Sequence, residues 1–319
     1  MERPEEILKR LQDEVGRVVV GQRALVEGLL VGLLSGGHVL VEGVPGLAKT
    51  TAVRTLAAVL GLGFRRIQFT PDLLPGDLTG NSVFVPDRRT FEVRRGPIFT
   101  PVLLADEINR APAKVQSALL EAMEERQVTI GEESLPLPEP FLVMATQNPI
   151  ELEGTYPLPE AQIDRFLLKL VVPYPTEVEE REIVERDAQG TVDVEPVAGI
   201  EQVLGLRAAA SQIHVAPEVS EYAVRIVRAT REPGGIVPDS ALGASPVALG
   251  GSPRASIYLV RAARARALLD GRSYATPHDV KRMAPDVLRH RVLVTYEAEA
   301  DGVTPESVIE AVLASVETP

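Results

Sequence analysis

Cysteine and tryptophan are both absent from the 319 residues. Without cysteine the chain has no disulfide, no thiolate metal site and no cysteine nucleophile, and a cytoplasmic location is the default expectation. Aromatic residues make up only 4% of the sequence, which leaves no stacking platform for single-stranded nucleic acid. Lysine is scarce, at positions 9, 49, 114, 169 and 281, whereas arginine is abundant. A formal net charge of −12 argues against broad binding to duplex DNA, which depends on phosphate neutralisation by Lys and Arg. No apolar run approaches the ~18 residues that a membrane span requires. The opening MERPEE is too acidic and polar to begin a signal peptide.

With 45% apolar and 24% charged residues, the composition is that of a globular protein, and the length accommodates two domains with cores of their own. The most informative stretch is Gly43-Val44-Pro45-Gly46-Leu47-Ala48-Lys49-Thr50. It follows a short apolar strand over 38–42 and precedes a helical pattern over 51–60, beginning with Thr51. A strand, a glycine turn and a helix opening on Lys-Thr form the context of a phosphate-binding loop. Backbone N–H groups and the helix dipole there converge on an anion. In that reading Lys49 reaches the β- and γ-phosphates of ATP and the Thr50 hydroxyl ligates Mg²⁺. Ala48 stands where the strict pattern has its second glycine, so an ordinary glycine-rich αβ turn is the alternative.

Residues 101–107 read as a buried strand ending in Asp106 and Glu107. A solvated strand end is the bland interpretation. Following a phosphate loop by a little under sixty residues, the pair reads instead as Walker B, with Asp106 holding Mg²⁺ through water and Glu107 polarising the attacking water. Another buried strand, 141–146, exits through Gln147-Asn148-Pro149. Asn148 is either a turn residue or a strand-end amide facing the γ-phosphate. Arg165 precedes a last strand over 167–172, and a solvated arginine is its alternative. Hairpins are expected within 78–97 and 126–140. Pro173-Tyr174-Pro175 is the clearest break, and the β pattern disappears beyond it. Residues 1–175 are therefore expected as a first domain, carrying the candidate phosphate loop, and 176–319 as a second, helical one. A near-repeat, LGASP at 242–246 against LGGSP at 249–253, lies between helices of the second part. The histidines at 38, 214, 278 and 290 have no ligand spacing and read as structural.

Taken jointly, these motifs resemble an AAA+ ATPase, and their wording is closest to the MoxR family: GVPGLAKT at 43–50, LADEINRAP at 104–112, LLEAMEERQVT at 119–129, ATQNP at 145–149 and GSPRA at 251–255. MoxR proteins commonly carry alanine where Ala48 stands. The resemblance implies a five-stranded parallel αβα sandwich followed by an all-α lid. It makes Asn148 similar to sensor 1, Arg165 to an arginine finger offered to a neighbouring subunit, and Arg254 to sensor 2. Gln68 corresponds to the residue restraining the catalytic glutamate, and Gly21 and Gln22 sit where the family contacts adenine. It further implies a homo-oligomeric ring, a hexamer on the family pattern, and a partner with a von Willebrand factor A domain. The activity implied is ATP hydrolysis coupled to chaperone-like remodelling or maturation of clients, including metal-cofactor insertion. The rivals are a nucleic-acid motor of the related helicase branch and a nucleotide-switch adaptor that does not hydrolyse.

Overall fold

The structure, a computed structural model, describes residues 3–149, 154–190, 192–234, 236 and 245–319. Of the first copy of the near-repeat only Ser245 and Pro246 fall within them. Five parallel strands form the central sheet: β1 (Val39–Glu42), β2 (Phe64–Gln68), β3 (Val102–Asp106), β4 (Leu142–Gln147) and β5 (Leu168–Val171). Their order is β2-β3-β4-β1-β5. The strands read as continuous apolar runs because both faces are buried. Side chains nevertheless alternate. Val39 and Val41 enter one core and Leu40 the other; Leu104 and Met144 join the first, while Leu103, Ala105, Val143 and Ala145 join the second.

The second core lies under α4 (Ala113–Glu125), whose Val115, Leu119, Leu120 and Met123 are buried, and under the hairpin of Gln127–Ile130 with Glu133–Pro136. The other expected hairpin pairs Gly80–Val85 with Thr90–Arg95. The first core lies under α1 (Pro4–Gly16), α2 (Arg23–Leu34) and α3 (Lys49–Val59). Helix α2 is apolar nearly all round and buried from Leu25 to Leu34, as expected for a helix sandwiched between layers. Gly28 and Gly32 permit its close approach to the sheet: a Cβ on either would come within 2.4 or 2.5 Å of Leu170 or Val39.

Beyond Pro175 come α5 (Glu177–Gln189), α6 (Ile200–Gln212), α7 (Pro217–Arg231), α8 (Pro253–Leu269), α9 (Pro277–Leu288) and α10 (Pro305–Ser315). The helix start expected at Thr276 carries a capping box, in which the Thr276 N–H donates to Asp279 Oδ2 at 2.7 Å. In two respects the structure departs from expectation. The β pattern does not end at 175: His214–Val215 pairs in parallel with Tyr274–Ala275, and Val247–Leu249 pairs with Leu293–Val294. These ladders are too short to leave a period-2 signature. Nor does the core divide at 175. Leu206, Ile226, Leu259 and Val287 of the later helices share one apolar cluster with Leu29 and Leu33 of α2. Glu27 of α2 reaches the same helices, accepting from Arg266 Nη1 at 2.6 Å and Arg282 Nη2 at 3.1 Å.

His38, at the N-terminal end of β1, ties that strand to its neighbours. Its Nδ1 accepts from the Val143 N–H at 3.0 Å, so its Nε2 donates to Met123 O at 3.2 Å. Burial, with nearby Arg126, pushes its pKa down to about 3. His290, also buried, donates from Nε2 to Phe166 O at 3.1 Å and is lowered in the same direction by burial. The unfolded chain therefore binds protons at these sites from about pH 6.5 downward while the native state does not. Stability is present above that value and lost as the pH falls towards 3. His38 alone should contribute roughly 2 kcal/mol of loss between pH 7 and pH 5. Urea unfolding at the two pH values should show a drop at least this large, and His38→Gln should remove the His38 part of it, leaving that of His290, while lowering stability at pH 7.

Candidate active site

The phosphate-loop stretch lies between the C-terminal end of β1 and the start of α3. In a parallel sheet that edge is where ligands sit. A cavity of about 390 Å³ opens there. Pro45, Gly46, Leu47, Ala48, Lys49, Thr50 and Thr51 line it from the loop side. Gly43 and Val44 stand behind, their carbonyl oxygens accepting from Lys49 Nζ, the second at 3.2 Å. Burial lowers the Lys49 pKa while Asp106 and Glu107 draw it back up. Gly46 turns the loop with φ of +87°, and Ala48 continues it with φ of 54°. Its methyl group is exposed rather than wedged into the core. A left-handed conformation costs a non-glycine residue about 1–2 kcal/mol, which the loop carries without a clash.

The wall opposite the loop comes from the ends of β3 and β4. Asp106, Glu107, Thr146, Gln147 and Asn148 line the same cavity, together with Arg66 from β2. Register makes this possible, since Gln68 lies opposite Asp106 and Ala105 opposite Ala145. Thr146 bridges the two carboxylate residues. Its hydroxyl donates to Asp106 Oδ1 at 2.5 Å and accepts the Glu107 N–H at 2.8 Å. Glu107 itself has φ of 56°, one of four non-glycine residues with positive φ among the described residues. Such strain at a strand end persists where surrounding bonds hold it.

Arg66 donates to Asp106 Oδ2 from Nε at 2.9 Å and from Nη2 at 2.7 Å. The same Nη2 donates to Gln68 Oε1 at 2.8 Å, which turns the Gln68 amide nitrogen toward Glu107 Oε2, 2.7 Å away. Arg110 Nε lies 3.2 Å from that oxygen. The Glu107 carboxylate is thus held from two sides, as expected for Gln68. Sequence reasoning assigned nothing to Thr146, Arg66 or Arg110. Only the strand register reveals the first two, and the tight turn over Ile108–Arg110 brings Arg110 back to Glu107.

A hydroxyl (Thr50) and a carboxylate (Asp106) on facing walls of one cavity are hard oxygen donors, the type that Mg²⁺ takes with substrate phosphates. Among the described residues no cluster of three His, Cys, Asp or Glu forms a separate metal cage. The residues fit Mg²⁺ carried in with a nucleotide.

Four predicted residues lie elsewhere. Gly21, with φ of +71°, stands against Glu179 of α5, and Gln22 beside it is buried; neither lines the cavity. Arg165 and Arg254 line a second cavity, of about 230 Å³, with Gly36, Gly37 and His38. These three precede β1, so the second cavity is at the opposite end of the strands from the phosphate loop. Both arginines hold Glu124: Arg165 Nε at 2.9 Å from Oε2 and Arg254 Nη2 at 2.9 Å from Oε1. Arg165 is therefore not the freely solvated side chain of the alternative reading. Its side chain is 31% exposed.

Comparison with known proteins agrees with this geometry. The profile of the ATPase family associated with various cellular activities (AAA) matches residues 38–168, and that of the AAA lid domain matches 241–312. Chaperone MoxR1 of Mycobacterium tuberculosis is 53% identical, over 98% of this chain and 82% of that protein. Protein MoxR of Methylorubrum extorquens is 34% identical, over 97% and 94%. A crystal structure from Cytophaga hutchinsonii, described provisionally as an ATPase, superposes with a TM-score of 0.92 at 46% identity, covering 99% of this chain and 96% of that one. With its parallel sheet, phosphate loop, paired carboxylates and lid, the chain belongs to the MoxR family of AAA+ ATPases.

Proposed function

We propose that the ATPase site is completed between subunits, with one chain supplying the phosphate loop and carboxylates and its neighbour supplying Arg165 and Arg254. The observation that carries this is the placement of the two arginines. Strand β1 has four residues and spans about 10 Å, so its ends present separate surfaces. Arg165 and Arg254 stand at the end remote from their own phosphate loop, sharing the Glu124 carboxylate. Exposed pairs of this type contribute roughly 0–1 kcal/mol, so a neighbour's triphosphate can displace Glu124 at little cost. A head-to-tail contact of that kind generates a ring when its rotation closes. Six copies are what the family resemblance implies.

In each shared site the loop backbone and Lys49 hold the phosphates of ATP. Mg²⁺, when bound by Thr50 and Asp106, neutralises charge on the β- and γ-phosphates. Glu107, once released from Gln68 and Arg110, accepts a proton from a water oriented with the help of Asn148. The water oxygen bonds to the γ-phosphorus as the bond to the β-phosphate oxygen breaks, giving ADP and phosphate. Arg165 and Arg254 of the neighbour meet the charge on the transferring group. Gly21 and Gln22 border the adenine at the junction of α2 with α5. The turnover drives chaperone-like remodelling or maturation of client proteins, metal-cofactor enzymes among them, with a von Willebrand factor A-domain protein as partner and the cytoplasm as setting. Glu107 and Arg165, both in built surroundings, favour turnover over a non-hydrolysing switch.

Glu107→Gln should bind ATP with near-normal affinity yet hardly turn it over; wild-type turnover would remove Glu107 as the base. Lys49→Ala should weaken nucleotide binding itself, read by titration with a fluorescent nucleotide. Arg165→Ala should keep nucleotide binding while kcat falls about 10³-fold or more, the scale of finger removal in other NTPases. Unchanged kcat would rule out the finger. Ala48→Gly should bind nucleotide within a few-fold of wild type, whereas Ala48→Val, strained at positive φ, should lower both Tm and affinity.

A further inference from the structure

Arg291 lies between α9 and the Leu293–Val294 ladder, and its side chain is 1% exposed. A guanidinium has five N–H donors in a fixed fork, and here all five are engaged. Nε donates to Asp164 Oδ1 at 2.6 Å. Nη2 donates to Asp164 O at 2.8 Å and to Phe166 O at 2.5 Å. Nη1 donates to Leu167 O at 3.4 Å and to Val287 O on its own helix. Four of the five acceptors thus belong to the segment 164–167, which carries Arg165. The Arg291 guanidinium also lies 5.1 Å from the ring centroid of Tyr258, whose hydroxyl donates to Arg165 O at 3.5 Å. The remaining Asp164 oxygen, Oδ2, accepts from Ser252 Oγ at 3.1 Å. Ser252 immediately precedes the helix on which Arg254 stands.

We propose that Arg291 is a positioning residue that sets both arginines offered to the neighbouring subunit. It grips the backbone on either side of Arg165 and, through Asp164 and Ser252, the start of the Arg254 helix. The lid of one subunit thereby governs hydrolysis in the site of the next, a role that rests on the shared-site reading above. The side chains of Arg165 and Arg254 stay out of the clamp and are free to exchange Glu124 for a phosphate oxygen. The segment beneath them has little freedom. A misplacement of about 1 Å at such a group can cost about 10²-fold in rate.

Arg291→Lys keeps a charge and nearly the volume but loses the fork. It should lower kcat by about 10²-fold with the KM for ATP little changed, because its own phosphate loop and Glu107 are intact. Mixing provides the readout that a merely structural role would not move. Neither Arg291→Lys nor Glu107→Gln assemblies should turn over ATP well, but mixed assemblies should regain activity, since Glu107→Gln chains present intact arginines to the working loop of Arg291→Lys chains. Arg165→Ala mixed with Glu107→Gln is the control. Recovery in the control but not with Arg291→Lys would overturn the positioning role and leave the shared site standing. Absence of recovery in the control would overturn the shared site and the positioning role together. Should Arg291→Lys fail to fold, Asp164→Asn, which removes the charge that joins Arg291 to Ser252, enters the same mixing test with the same expectations.

Discussion

Burial of both faces of a five-stranded parallel sheet leaves its strand ends as the places where polar chemistry can stand. The interior positions of β1 and β3, and those of β4 as far as Ala145, are committed to one of two apolar cores. Polar residues are therefore pushed to the ends, and because the strands are parallel those ends are chemically unlike. One collects the phosphate loop, Asp106, Glu107 and Asn148. The other collects Arg165, Arg254 and Glu124. Strand length separates the two sets, so half of the charged apparatus in each chain faces away from its own loop.

At the loop end, geometry is held by a chain of hydrogen bonds rather than by packing. Thr146 joins the two acidic residues, while Arg66 and Gln68 connect Asp106 to Glu107 along the edge of β2. Each member fixes the orientation of the next: Arg66 decides which end of the Gln68 amide meets Glu107. Two backbones with positive φ, at Ala48 and Glu107, face each other across the cavity. Glu107 sits where the chain leaves β3, held by Thr146, Gln68 and Arg110, whereas Ala48 stands at the start of α3.

The lid is more than a cover, since its core is continuous with that of the sheet through α2. Glu27 and the apolar face of α2 tie it to one layer, and Arg291 ties it to the turn before β5.

Much of this was determined by local sequence. The phosphate loop, the Asp-Glu strand end, the polar exit at Asn148, both hairpins and most helices are legible from apolar periodicity, glycine and proline placement and residue spacing, since these depend on neighbours in the chain. Ala48 shows the same point from the other side: as a departure from a pattern it pointed to a family, and the structure explains its tolerance by an exposed methyl group. What tertiary structure alone decided are relations between residues far apart in sequence. Arg66 opposite Asp106, Thr146 between Asp106 and Glu107, and Glu124 between Arg165 and Arg254 depend on strand register and on which ends of the sheet meet. Arg291 belongs with them. Its five acceptors include four from residues more than 120 positions earlier, and nothing in its own neighbourhood of sequence distinguishes it from a surface arginine. The short ladders of the lid and the undivided core escaped sequence reasoning for the same reason. Periodicity reports what one element buries, whereas long-range packing selects the partner it is buried against.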